Sequence, residues 1–412
     1  MTQQNGKRHV LDGVRVLDFT QYLAGPTCAR ALAELGAEVI KVEWAPTGDY
    51  SRQITFMKNG RSAYFVQHNR GKKSLCMDLR KPEAIDLLKR MMPKVDVVVE
   101  NYTPGVIARL GLGWEVLHAL NPQLILCSIS GFGQTGPLRD RPGYDHVAQA
   151  YTGFSDLLGH PGEPPTILGM GIGDIGTGMN AACAVNAALF HSRQPGGEGQ
   201  HLDISLLDTY FNYNDAPIEM VSASGGAENP TRSGHHHYQF APLGFFRSNG
   251  GSVCIMAVNP GQWRGLLEAM GRPELADDPR FLDHAERLAN LDALVKIIED
   301  WILGLGDDET FFALMEKHRV PYAPVLKTAE AMAHPHARER GAVRTMPDKA
   351  LGQLDIPGPP FRFSAFPELL VLEAPFLGQH NQEVLGGLLG MSAAEVAALE
   401  ADGTLASEPI PA

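Results

Sequence analysis

Through the first third of the chain, short apolar runs alternate with stretches whose apolar positions recur every three to four residues. GVRVLDFT (13–20) predicts a strand, PTCARALAELG (26–36) a helix with proline near its start and glycine at its end, and AEVIKVE (37–43) a second strand. SLCMDL (74–79), KPEAIDLLKRMM (81–92) and VDVVVEN (95–101) repeat the unit, and short helices near 104–110 and 114–120 precede the apolar strand LILCSISGFG (124–133). Strands that are apolar throughout and separated by helices predict a parallel sheet covered on both faces. In such a sheet ligands occupy the crevice beyond the carboxyl ends of the strands. That crevice directs attention to 20–25, 43–48, 101–105 and 130–136.

The pattern then changes. MNAACAVNAALFHSRQ (179–194), rich in alanine and poor in charge, predicts a buried helix, and HLDISLLDTYFNYN (201–214) a strand that continues as a helix. Small and polar residues at 221–236 predict an interdomain loop, and FFRSNGGSVCIMAV (245–258) a hairpin with Asn-Gly-Gly at its turn. Helices follow near 260–318, then a helical return ending near 340, a strand pair and a last helix at about 391–400. The expected fold class is α/β: a large Rossmann-like parallel-sheet domain with a smaller α+β domain. The expected division is a first part of the large domain at 1–220, the small domain at 221–325, and a segment at 326–412 completing the large domain.

A chain of 412 residues suits two cores better than one. No apolar run approaches the roughly 18 residues of a membrane span, and no apolar targeting segment follows the N-terminus, so a cytoplasmic protein without membrane partners is expected. A formal net charge of −12 disfavours a broad nucleic-acid surface. Five scattered cysteines with no CxxC pair fit a reducing compartment.

The loop after the first strand reads TQYLAGP, not GxGxxG, which removes the main support for a nicotinamide cofactor. There is no GxSxG elbow, HExxH or P-loop. His235, His236 and His237 are adjacent, and three consecutive side chains cannot face one point in a regular element, so no metal is expected.

One acid stands out. ILGMGIGDIGTGMN (167–180) sets Asp174 among glycines at 169, 171, 173, 176 and 178. As an N-cap, it would satisfy free N–H groups of the helix that follows. As a carboxylate in space cleared by glycines, it could attack an activated acyl group such as a thioester. The residues alone leave both readings open.

Six separated stretches, in order, resemble the class III CoA-transferases, the group that also contains the α-methylacyl-CoA racemases: 11–43, 69–79 (NRGKKSLCMDL), 97–115 (VVVENYTPGVIARLGLGWE), 131–145 (GFGQTGPLRDRPGYD), 173–178 (GDIGTG) and 196–208. The resemblance implies that Asp174 is the catalytic aspartate, carrying CoA as an aspartyl thioester between a donor acyl-CoA and an acceptor acid. It implies CoA contacts at Gln21, Tyr22, Leu23, Ala24, Met77, Arg80, Asn101, Tyr102, Arg109 and Leu110, with the two arginines on phosphates and Tyr102 on adenine. Asp145 would stand at an active-site acid position. It further implies an interlocked, ring-like homodimer, acyl-CoA and small carboxylic acids as substrates, and no tightly bound cofactor. Gln21 and Leu23 replace histidine and glutamine of formyl-CoA transferase, Trp44 replaces an arginine, and SGHHHYQFAPLG (233–244) replaces a glycine-rich loop. These departures point away from formyl and oxalyl groups, toward another acid with succinyl-CoA as donor and His235–His237 holding a second carboxylate. The alternative is a racemase-type isomerase, whose expected histidine is Tyr144 here.

Overall fold

The first strand, β1 (Arg15–Asp18), buries Val16 on one side and Leu17 on the other, the mark of a strand sandwiched between helical layers. A computed structural model describes residues 9–411. After β1 come α1 (Ala24–Glu34), β2 (Glu38–Trp44), α2 (Ala63–Asn69), β3 (Lys72–Met77), β4 (Val97–Glu100) and β5 (Ile125–Ser130). α3 (Asp145–Tyr151), α4 (Ile172–Ser192), β6 (His201–Ser205) and α5 (Leu206–Tyr213) complete the run.

The six strands form one parallel sheet in the order β3-β2-β1-β4-β5-β6. The order reverses between β1 and β4, and that switch point is where an open α/β sheet leaves a crevice. One face packs Val16, Val39, Val97, Val99 and Ile125 against Cys28 and Leu32 of α1 and Ala181 and Val185 of α4. The other packs Leu17, Ile40, Leu75, Val98 and Leu126 against helices Pro82–Met91, Trp114–Leu120, Asn381–Leu389 and Ala393–Ala401.

The chain divides into two units. One comprises 1–152, 169–213 and 335–412; the other 153–168 and 214–334. The breaks thus fall at 213 and 334, where the sequence pattern placed them at 220 and 325, and a short stretch before α4 also joins the second unit. Within that unit β7 (Leu243–Ser248) and β8 (Gly251–Met256) form the expected hairpin, β9 (Tyr322–Pro324) adds to β8, and Phe246, Val253 and Ile255 pack on Trp263, Leu266, Ile298 and Phe311. In the first unit, β10 (Val343–Asp348) pairs with β11 (Gly352–Pro357). Among the described residues no helix is long and apolar enough to cross a membrane.

α4 differs from the sequence pattern in two ways. α4 begins at Ile172, two turns earlier than expected, so the glycine-rich run is itself helical. It is also not buried all round: Ile172, Ile175 and Phe190 are exposed. A helix whose first two turns hold three glycines, 173, 176 and 178, is disfavoured by propensity, and packing overrides that. A Cβ on Gly173 would run into the Tyr210 ring, one on Gly176 into the Tyr213 hydroxyl, and one on Gly178 into Ala24 O and Thr27.

Candidate active site

At the switch point, the carboxyl ends of β1 and β4 are clasped together. Asn101 Oδ1 accepts the Gln21 N–H and Asn101 Nδ2 donates to Gln21 O, both at 2.8 Å. Thr20 O accepts from Lys41 Nζ at 2.6 Å, and the Tyr22 N–H donates to Asp49 Oδ1 at 3.2 Å. Tyr22 is thereby held at φ 64°, a left-handed conformation unusual for a bulky residue. Its ring stacks on Tyr50, with centroids 5.8 Å apart, and meets Tyr144 edge-on.

This clasp floors a cleft of about 280 Å³ lined by Gln21, Tyr22, Leu23, Ala24, Asn101 and Tyr102, with Tyr144 and Asp174 on its wall. Tyr102 accepts a hydrogen bond from Trp44 Nε1 at 2.9 Å, giving an aromatic ledge beside the clasp.

Asp174 lies in the first turn of α4, and it does not cap the helix. Its own N–H donates to Asp145 Oδ2 at 2.8 Å, while the preceding N–H, of Gly173, donates to the Tyr210 hydroxyl at 3.2 Å. Tyr210 in turn donates to Asp145 Oδ1. The capping is therefore done from α3 and α5, and the Asp174 carboxylate accepts no hydrogen bond among the described residues. Burial, with Asp145 adding repulsion, pushes this carboxyl up to about 7. A half-buried carboxylate without donors keeps its lone pairs available, and an apolar flank from Leu23 helps exclude water.

Lys41 and Asp49, which hold the clasp, belong to a buried ionic cluster behind it. Asp18, Glu43 and Asp49 are buried, and burial alone would raise them, yet the cations beside them hold all three below the usual carboxylate range. Their partners are Lys72 at 2.7 Å, Arg52 at 2.7 Å and Lys41 at 2.9 Å.

Thus Gln21 to Ala24, Asn101, Tyr102 and Asp174 come together. Met77 does not reach the cleft: it is wholly buried in the core. Arg80 is exposed and engaged by Asp78 at 2.7 Å, so a phosphate would have to displace a carboxylate there. Arg109 is exposed on a short helix and makes no ion pair among the described residues, while Leu110 packs against the core. Asp145 is only 5% exposed and faces α4 with both oxygens engaged, so it supports the site from behind rather than meeting a ligand in the cleft. His235, His236 and His237 turn to different neighbours, namely His160, Phe246 and Tyr238, and no metal-binding group of three or more ligands occurs among the described residues. Pattern reading missed Asp49 and Tyr210, and it named Tyr144 only as the residue in place of a racemase histidine. No local signal marks Asp49 or Tyr210.

The model of CoA-transferase family III matches residues 11–381. The chain belongs to that family. A family III CoA-transferase is an enzyme that moves CoA between acids. The chain is 38% identical to succinyl-CoA–D-citramalate CoA-transferase of Chloroflexus aurantiacus, over 95% of this chain and 97% of the other. It is 37% identical to succinyl-CoA:mesaconate CoA-transferase of Haloarcula hispanica, over 91% and 95% of the two chains. With human succinyl-CoA:glutarate CoA-transferase it shares 33% identity over 92% and 86%. A CaiB/BaiF family protein from Brucella suis has the same fold, with a TM-score of 0.80 and 35% identity over 92% and 99% of the chains.

Proposed function

We propose that this transferase takes CoA from succinyl-CoA and gives it to a second dicarboxylic acid of four or five carbons, by way of an aspartyl-CoA thioester on Asp174. The observation that carries this reading is the Asp174 carboxylate, unpaired and raised to about 7 at the wall of the cleft. The acids named for the relatives above are all of this size and carry two carboxylates.

Asp174 attacks the thioester carbonyl, a C–O bond forms, and the C–S bond breaks to release CoA thiolate. The thiolate then attacks the aspartyl carbon of the mixed anhydride, giving the aspartyl thioester and succinate. The acceptor carboxylate runs the same two steps in reverse. No net proton moves, and the thioester's energy is kept so long as water is excluded. CoA would lie over Gln21 to Ala24 and Asn101, with Tyr102 at the adenine and Arg109, which no carboxylate occupies, toward phosphate.

The enzyme is proposed to work as a homodimer in the cytoplasm. The exposed apolar positions Ile172, Ile175 and Phe190 of α4 support a second copy covering that face. Mass spectrometry after incubation with succinyl-CoA should show CoA on the peptide bearing Asp174, converted to a hydroxamate by hydroxylamine. Absence of both adducts during turnover would sink the reading, and CoA exchange across a mono- and dicarboxylic acid panel tests the substrate class.

A further inference from the structure

Tyr210 plays no part in the chemistry above, yet its hydroxyl is the hub behind it. It donates to Asp145 Oδ1 and accepts from the Gly173 N–H at 3.2 Å and from Gln149 Nε2 at 3.1 Å. A hydroxyl with one proton and two lone pairs makes just such a set. The Tyr210 ring lies against Gly173 so closely that no side chain fits there, and the residue is wholly buried.

We propose that Tyr210 is a positioning residue for the transfer: it fixes Asp145, which caps α4 in place of Asp174 and leaves the Asp174 carboxylate free for the thioester. An aspartate in the first turn of a helix ordinarily finds backbone N–H groups to accept. Here the N–H groups of Gly173 and Asp174 are already taken by Tyr210 and Asp145. Without the Tyr210 hydroxyl, the Gly173 N–H is freed and Asp145 loses a donor that stabilises its charge. Asp174 then has a local N–H to turn to, which occupies its lone pairs and favours its charged form.

The titratable neighbours define what the experiment reads. α3 presents Asp145 and His146, whose Nδ1 lies 3.6 Å from Asp145 Oδ1. α5 presents Tyr210 and Tyr213, and α2 presents Tyr64, which feels the Asp174 charge. α1 contributes Leu23, Ala24 and Thr27, none of them titratable.

The proposal rests on Asp174 as the nucleophile, so the test is made on the full chain with Asp174 adduct formation measured alongside turnover. In Tyr210→Phe, kcat should fall roughly tenfold, the loss of one hydrogen bond to a charged group. KM for succinyl-CoA should stay within about twofold, and the acid limb of kcat should move down by about half a pH unit as the freed Gly173 N–H stabilises the Asp174 carboxylate. Asp145→Asn should move the limb in the same direction and further. An unchanged kcat and limb, or a loss confined to KM, would overturn the proposal while an adduct on Asp174 keeps the nucleophile reading intact. No adduct in the parent enzyme removes both. If Tyr210→Phe does not fold, Gln149→Leu keeps the ring and weakens the hub, and a smaller downward shift of the limb is expected; no shift there overturns the proposal.

Discussion

The two halves of the sheet handle buried acids in opposite ways. Under β3, β2 and β1, Asp18, Glu43 and Asp49 each have a lysine or arginine within 3 Å and stay ionised. Beyond the switch point, Glu100 and Asp174 have no cation beside them, and burial pushes each up to about 7. Donors from Ser128 and the Tyr102 N–H only partly offset that for Glu100. The same residue type is scaffolding on one side and available for chemistry on the other, and cation placement decides which.

The sharpest test of this contrast is Asp174→Asn, which should lower CoA transfer by roughly 10⁴-fold or more, as loss of a nucleophile does, with little change in urea stability. Lys41→Met should act in reverse. It leaves Asp49 buried without its cation, and stability should drop by about 3–5 kcal/mol in urea titrations. Transfer by the surviving folded enzyme should show a raised KM, because Lys41 also holds Thr20 O at the cleft.

The unpaired half depends on fit instead of charge. Gly173→Val should cost about 3 kcal/mol, toward the upper end for overpacking, whereas Gly169→Ala, with open space around it, should stay within about 0.5 kcal/mol. Equal effects in chemical denaturation would defeat the packing account.

Smaller still is the titration of Glu100. Raised from near 4.5 to about 7, it binds a proton on folding, so the native state holds more protons across that window. Its contribution is therefore complete below 4.5 and lost as pH rises through 7. Glu100→Gln should recover roughly 2 kcal/mol of the stability lost between pH 5 and pH 8, and an undiminished fall would remove Glu100 from the contrast.

Most of the parallel sheet was legible because its central strands are dominated by apolar residues, as in VVVE of β4 and ILCSIS of β5, and its helices show the matching period. The strand order was not, since periodicity carries no information about neighbours. α2 and α3 escaped because they are seven residues long and lack a full amphipathic repeat. The glycines of α4 misled in an instructive way. Read as space around a ligand, they are in fact places where helices press together, and only Gly171 borders the Asp174 carboxylate. Asp174 itself was singled out correctly as unusual, but the reason it is not a cap lies in Asp145 and Tyr210, 29 and 37 positions from the N–H groups they accept or bond. Met77 was placed by motif position alone, and strand pleating turns it inward.

The hub has a consequence for how the chain is strung. The polypeptide leaves the first unit shortly after Asp145, re-enters just before Asp174, and leaves again shortly after Tyr210. The three residues that set the carboxylate are thus the anchor points of two inserted segments, 153–168 and 214–334. A change in the length of either segment thus begins and ends within a few residues of the hydrogen bonds that keep the Asp174 carboxylate free.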